Sequence, residues 1–459
     1  FFKQKTAYEI YQCDWSSDVC SSDLTNYDED TVVGYKQNLQ NLAHIKANDY
    51  MTNEWGTVLM DESGRYTSIV SEYNKFKTNT TNTVNYLLKE FEMKKAATDY
   101  KRTQVSKTGS LDMKKIWGYQ LNDDLFKRIS ITKDGKNHGM QILVDWSGSM
   151  RRVISDVMQQ VITLAMFCQR AQIPYQVLAF TDSYYYMGSA YKNRQYNRLR
   201  DERGREPGTN RNMLDNAIGQ CALLELFSHK MSNKDFNDMS KILFNTYGVI
   251  NTAHYGLGGT PLNHALAYML DYTGKFINMN NVEKMTFITL TDGQGSCLRT
   301  LDLSWDERNI RPWVIDPKTK IAYEFSEHNS TMQTDAILNM LTARYDIANI
   351  GFYIANSNSV KELTTAFREN GIKSNDYYEL YAFTEEAQKE IRRKGFTSIA
   401  TKSRDALFVV PTKSMKIEDV EIEVKSDQTS KAIAKKFTKV MEGRQLNRVL
   451  LNQFISYIS

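Results

Sequence analysis

The chain has 459 residues, of which 41% are hydrophobic and 24% charged, and its formal net charge is +4. This is ordinary globular composition, long enough for two or three domains or one large domain with insertions, and the small positive excess gives no ground for a nucleic-acid or membrane-surface partner. No apolar run reaches bilayer-spanning length, and the five Cys stand far apart without a CxxC pair, which indicates neither a disulfide framework nor a thiolate zinc site and favours a reducing, cytoplasmic setting.

Residues 1–24 (FFKQKTAYEIYQCDWSSDVCSSDL) show neither a signal-peptide pattern nor a structural period. They resemble translated sequencing-adapter read-through at the start of open reading frames from metagenomic assemblies. They are therefore set apart from the fold as a non-native tail, together with Cys13 and Cys20; the alternative is a poorly ordered natural tail. An adapter origin places the natural N-terminus outside this sequence.

Residues 25–135 read as a mostly helical region, with Val84, Leu87, Leu88 and Phe91 at helical spacing and a turn at Gly109 in VSKTGSLDMKKIW. From 136 to 415 the pattern changes. Short apolar strands are expected at 139–144 (GMQILV), 174–180, 283–290, 347–355 and 406–410, with helices at 151–170, 261–272, 332–344 and 359–369 between them. In the first of these helices Ile154, Val157, Met158, Val161, Ala165 and Cys168 share a face. Buried strands alternating with amphipathic helices predict an α/β domain with a doubly wound, mainly parallel sheet, whose ligands bind beyond the carboxyl ends of the strands.

Two insertions interrupt this pattern, at about 183–250 and 296–330. The first carries a basic run (Arg194, Arg198, Arg200, Arg203, Arg205 and Arg211). Asp201, Glu202 and Glu206 break it up, so it reads as a solvated surface rather than a nucleic-acid site. The second contains WVIDPKTKIAYEF, in which Asp316–Pro317 between two apolar runs suggests a β-hairpin. The segment 416–459 reads as a C-terminal helical segment, helical beyond 428, with Ile433, Phe437 and Val440 and, after Gly443, Val449, Leu450 and Phe454.

The chemistry concentrates at the carboxyl ends of the predicted strands. DWSGSM (145–150) follows the first strand and offers Asp145, Ser147 and Ser149 from one tight turn, with Gly148 letting the backbone fold closely. GLGGTPLNHAL (256–266) places Thr260 just before a helix, and TLTDGQGS (289–296) places Asp292 at the end of the third strand. Two carboxylates and three hydroxyls make a hard, oxygen-only set of low negative charge, suited to Mg²⁺ or Mn²⁺ rather than zinc or copper. Asp145, Ser147 or Ser149 could instead cap the following helix, but capping leaves Thr260 and Asp292 unexplained. Gly256, Gly258 and Gly259 do not form a phosphate loop, since GxxxxGK[ST] is absent. Asp145 lacks the second acid that a phosphotransfer site needs. His254 and His264 flank the Thr260 loop and are read as packing or capping residues.

DWSGS, the Thr of GGTP and the Asp of TDG, in that order, resemble the metal-ion-dependent adhesion site of the von Willebrand factor A (VWA) domain. That resemblance implies a VWA/Rossmann-like fold. It makes Ser147, Ser149 and Thr260 direct ligands, Asp145 and Asp292 direct or water-mediated ones, and leaves a sixth position open for an acidic side chain of a partner. GGTPLNHAL is similar to intracellular A domains of chelatase-type systems. GSLDMKKIW, LFKR and the strand into DWSGSM, with YLLKEFEMKKAATDYKRTQ upstream, resemble the CobT-type subunit of aerobic cobaltochelatase over roughly 80–300. The long acidic stretch common in that subunit is missing and the two insertions are unlike it. Divergent copies of this kind occur in large tailed phages beside a MoxR-type AAA+ ATPase, which implies a host cytoplasm.

The resemblance therefore implies a Mg²⁺-dependent adaptor without catalysis of its own, docking with a MoxR/CobS-type AAA+ ATPase. The alternatives are a cobaltochelatase subunit acting in metal insertion into a tetrapyrrole, as in cobalamin biosynthesis, and, more remotely, a virion or surface adhesion module.

Overall fold

The structure is a computed structural model that describes residues 31–102, 104–106, 129–131, 137–182, 221–252, 254–298, 313–326, 328–372 and 377–415. The expectations for the tail 1–24, the turn at Gly109, the basic run 194–211 and the C-terminal helix lie outside those residues.

In chain order the strands are β1 (Val32–Val33), β2 (Gln104–Ser106), β3 (Ile129–Ile131), β4 (His138–Asp145), β5 (Tyr175–Thr181), β6 (Ala222–Ser228), β7 (Lys284–Thr291), β8 (Trp313–Ile315), β9 (Ala322–Glu324), β10 (Ala348–Ala355), β11 (Thr397–Ile399) and β12 (Ala406–Pro411). Eight of them form one sheet in the order β1-β6-β5-β4-β7-β10-β12-β11. The five expected strands are β4, β5, β7, β10 and β12, all mutually parallel, with Ile142 level with Val177 and Ile288, and Phe352 level with Phe408. Beside β5 runs β6, which is antiparallel to it and carries a register shift at Val177/Leu178. At the far edge β11 is antiparallel to β12. Taken from β4 onward, the six central strands follow the doubly wound 3-2-1-4-5-6 order, so the winding reverses between β4 and β7.

The helices are α1 (Tyr35–Asn41), α2 (Ala43–Asn48), α3 (Ile69–Arg102), α4 (Ile154–Arg170), α5 (Asn233–Phe244), α6 (Thr246–Ile250), α7 (Leu262–Asn280), α8 (Ser330–Tyr345), α9 (Val360–Glu369), α10 (Tyr377–Lys394) and α11 (Thr412–Met415). They cover both sheet faces, and β4 shows how. Met140, Ile142 and Val144 belong to the core shared with α4 and α5, whereas Leu143 belongs to the core shared with α7 and α8. All six residues expected on the α4 face are buried. Outside α4 lies α3, 34 residues and about 50 Å long, which buries Val84, Leu87 and Phe91; Phe91 meets Phe167 edge-on at 5.8 Å.

The described part of 25–135 is mostly helical, but residues 50–68 make antiparallel bridges and two tight turns instead. The first expected insertion also takes in scaffold, since β6, α5 and α6 all fall within 183–250. The hairpin at Asp316–Pro317 is present as β8 and β9. It is locked down by Arg344, whose guanidinium bonds both carboxylate oxygens of Asp316 (2.6–3.1 Å) and reaches Asp271 at 2.9 Å, with both paired side chains almost fully buried. Among the described residues no helix is long and apolar enough to cross a membrane.

Candidate metal centre

The site grows out of the last residue of β4. Asp145 is fully buried, and its Oδ2 accepts a 2.7 Å hydrogen bond from the hydroxyl of Thr291, the last residue of neighbouring β7. The chain then turns sharply. Ser147 Oγ lies 2.9 Å from Ser149 Oγ, and Ser149 Oγ donates to Asp292 Oδ1 at 2.7 Å. Asp145, Ser147, Ser149 and Asp292 are thus brought together at the carboxyl ends of β4 and β7, where the winding of the sheet reverses and where doubly wound sheets bind ligands.

Capping does not account for these side chains. The 3-10 turn Ser149–Arg152 starts behind Gly148, α4 starts behind Val153, and neither has a side-chain cap.

Backbone pairing brings in the third loop. Gly148 N donates to Gly258 O at 2.8 Å and Gly258 N to Trp146 O at 3.3 Å, so Ser147 and Gly258 form a parallel bridge. Thr260 follows two residues later, half-buried, immediately before Pro261 and α7; its carbonyl accepts from Ser296 N at 2.8 Å, which ties it to the loop after Asp292. The loop is also pinned from below, since the buried Trp146 donates its indole N–H to Tyr255 O at 2.7 Å.

Two supporting residues escape a reading of the sequence. Thr291 orients Asp145. Asp182, directly after β5, accepts the Gly259 amide at 2.8 Å, and a Cβ on Gly259 would stand 2.6 Å from its other oxygen. The close approach of a glycine-rich loop to an acid at a strand end was the available signal.

The electrostatics suit a cation. Burial pushes the Asp145 carboxyl up to about 7, opposed by the hydrogen bond from Thr291 and by Ser147 and reinforced by the charge of Asp292. Its Oδ1 is buried without a hydrogen bond of normal geometry, although Ser147 is near enough to favour the charged form. Burial also raises Asp292, opposed by Ser149 and reinforced by Glu369. A buried carboxylate oxygen without a partner, facing hydroxyls and a second raised carboxyl, is the arrangement that a bound divalent cation would neutralise. Among the described residues no three His, Cys, Asp or Glu side chains come together. The candidate set has only two carboxylates, so Ser147, Ser149 and Thr260 would have to supply its other side-chain oxygens. That mixture fits Mg²⁺ or Mn²⁺. His264 is not part of it: it is buried within α7, and burial lowers its pKa to about 4.

No protein-family model matches the chain, and no curated protein does. Solved structures with some likeness include the pilus adhesin SpaC from Lactobacillus rhamnosus GG in its open conformation (13% identity, TM-score 0.27, 56% of this chain and 31% of that one). Others are proximal thread matrix protein 1 from the mussel byssus (11%, 0.26, 55% and 47%) and the human COPII-coat protein Sec24c (9%, 0.28, 60% and 38%). The chain spans less than half the length of each, and overlaps of this size carry no conclusion about family or activity.

Proposed function

We propose that the chain is a VWA-domain adaptor of the CobT-like kind, which binds Mg²⁺ through Asp145, Ser147, Ser149, Thr260 and Asp292 and docks with a MoxR/CobS-type AAA+ ATPase. The observation that carries this reading is the convergence of Asp145, Ser147, Ser149 and Asp292 at the winding reversal, with a buried carboxylate oxygen left unpartnered. The cation, when bound, supplies a Lewis-acidic position for an anionic oxygen. The chain's own residues hold it: Thr291 fixes the plane of Asp145, Trp146 anchors the turn, and Gly258 and Gly259 bring the Thr260 loop alongside. Two carboxylates balance a divalent charge without exceeding it, so the ion keeps its affinity for a partner's Asp or Glu.

The chain has no GxxxxGK[ST] loop, so on this reading the ATPase provides the chemical energy and this chain passes its motion to a client. Co-purification with the MoxR-type ATPase tests it. Recovery in Mg²⁺ and loss in EDTA without ATP, with Thr260→Ala weakening the complex, is the expected result. Equal recovery in both buffers, or ATP hydrolysis by the isolated chain, would contradict it.

A further inference from the structure

The eight-stranded sheet ends at β11, whose outer edge pairs with no strand among the described residues. Beside that edge a groove of about 440 Å³ runs between β11 and α10. Thr397 and Ile399 face it, because they sit level with Val409 and Leu407, which belong to the small core shared with α9 and α10. Its floor is apolar, lined by Phe383, Ala387 and Ile399. One flank is fixed in place, since the Thr397 hydroxyl donates to Glu390 Oε2 and Lys394 Nζ to Glu390 Oε1, both at 2.6 Å. An open strand edge beside an apolar groove is a template for one more strand.

The sequence that comes next fits that place. The last described residue, Met415, ends α11 at the carboxyl end of β12, and Thr397 is level with Val409 at the same end of the sheet. The chain continues with KIEDVEIEVK at 416–425. Val420, Ile422 and Val424 alternate with Asp419, Glu421, Glu423 and Lys425, the period of a strand with one apolar face. A strand beyond β11 stands two strand spacings from β12, about 10 Å, which the three residues 416–418 can span. The charges match as well. Arg392, Arg393 and Lys394 close α10 just before β11, at the end where Glu418 and Asp419 arrive. Of the two acids in the groove, Glu390 is taken up by Lys394 and Thr397, and Glu386 lies one turn further back along α10.

We propose that residues 419–425 of this chain add to the free edge of β11 as a ninth strand. Val420, Ile422 and Val424 lie over the groove, and Glu418 and Asp419 meet the basic end of α10. Coming from the end of β12, the segment runs back along the edge, antiparallel to β12 and parallel to β11. It carries the helical segment beyond 428 toward the amino ends of the parallel strands, away from the candidate metal centre. The inference does not depend on the metal reading.

Hydrogen exchange of the full chain, followed by mass spectrometry, tests it. Amides of 419–425 are expected to exchange at least about tenfold more slowly than in a synthetic peptide of the same sequence. Ile422→Asp is expected to remove that protection and to speed exchange in 396–400, while β4 and β7 keep their wild-type rates. Arg393→Glu is expected to speed exchange of 419–425 about threefold, as loss of exposed ion pairs does, and adding Glu418→Lys and Asp419→Lys is expected to restore it. Arg393 is exposed, so its replacement leaves the fold intact. Peptide-like exchange of 419–425 in the wild type, or unchanged exchange of 396–400 in Ile422→Asp, would overturn the ninth strand. Protection that rises with protein concentration would overturn it in favour of edge-to-edge pairing between two copies.

Discussion

The indole N–H of Trp146 donates to the backbone carbonyl of Tyr255 at 2.7 Å, and this bond ties the turn that holds Asp145, Ser147 and Ser149 to the loop that holds Thr260. The connection runs on into the N-terminal region, because the Tyr255 hydroxyl donates to Asn38 Oδ1 at 2.8 Å and Asn38 in turn bonds the carbonyls of Val33 and Glu225. Trp146→Phe removes the donor and leaves the carbonyl without it, at a cost of about 1–3 kcal/mol in urea denaturation. Its Mn²⁺ affinity by calorimetry is expected to fall as well, because the two ligand loops lose their common anchor. An unchanged affinity would show that the loops are positioned independently.

Gly259 lets the same loop approach Asp182. Gly259→Ala places a Cβ 2.6 Å from Asp182 Oδ2, so either the loop or the Asp182 carboxylate that holds the Gly259 amide must shift, and Mn²⁺ binding is expected to weaken with little change in melting temperature at this exposed position. Adding Asp182→Ala relieves the clash and is expected to restore part of the affinity. If the double variant binds no better than the single one, the clash is not the cause.

The hairpin β8–β9 depends on a buried ion pair. Burial pulls the Asp316 carboxyl up, but the Arg344 guanidinium, the Lys318 amide and the Thr319 hydroxyl outweigh it and hold Asp316 below the usual carboxylate range. Arg344→Met leaves Asp316 buried and unpaired and is expected to cost about 3–5 kcal/mol. Lys318→Met breaks a half-exposed pair with Asp271 and is expected to cost less than about 1 kcal/mol. Urea denaturation of both variants checks the order; equal losses would mean that the buried pair is not what fixes the hairpin.

His264 makes stability depend on pH. Its pKa of about 4 in the fold lies below the 6.5 of an unfolded His because burial disfavours the charged ring. The unfolded chain therefore binds the proton first, and stability is lost as pH falls from about 6.5 toward 4, by about 3 kcal/mol over the whole window. His264→Gln cannot take up that proton. The stability difference between wild type and variant, measured by urea denaturation at neutral pH and near pH 4, is expected to shift by that amount in favour of the variant in acid. A constant difference would show that His264 is not buried neutral.

Much of this architecture could be read from the sequence, for a physical reason. Strands buried on both faces are mainly apolar, so β4, β5, β7, β10 and β12 stand out as short, nearly continuous runs in spite of buried Gln141, Gln176 and Asn349, and the polar residues that end β4 and β7 mark the sheet's ligand edge. β6 was hidden because it lies behind the basic run and carries Glu225, which the fold uses to accept from Gln176 (2.7 Å) and from the Tyr35 amide (3.1 Å). α7 runs on to Asn280 beyond its expected end near 272, because Gly274 serves packing rather than termination: a Cβ there would stand 2.4 Å from the Tyr345 hydroxyl. The meander 50–68 departs from the mostly helical expectation for 25–135, since its exposed apolar side chains follow no core period and its turns rest on Asn53 with Gly56 and Asp61 with Gly64. Thr291 and Asp182 were missed because only the folded sheet sets β7 and β5 on either side of Asp145.

The central claim is that Asp145 and its neighbours hold a divalent cation, and calorimetric titration of Mn²⁺ into the wild type and Asp145→Asn tests it most directly. Asn keeps the volume and can still accept from Thr291, so the fold is expected to survive while one of the two carboxylates is lost. The wild type is expected to bind Mn²⁺ and the variant to bind it at least about tenfold more weakly, a difference of about 1.4 kcal/mol. A wild type that binds no Mn²⁺, or a variant that binds it equally well, would contradict the site.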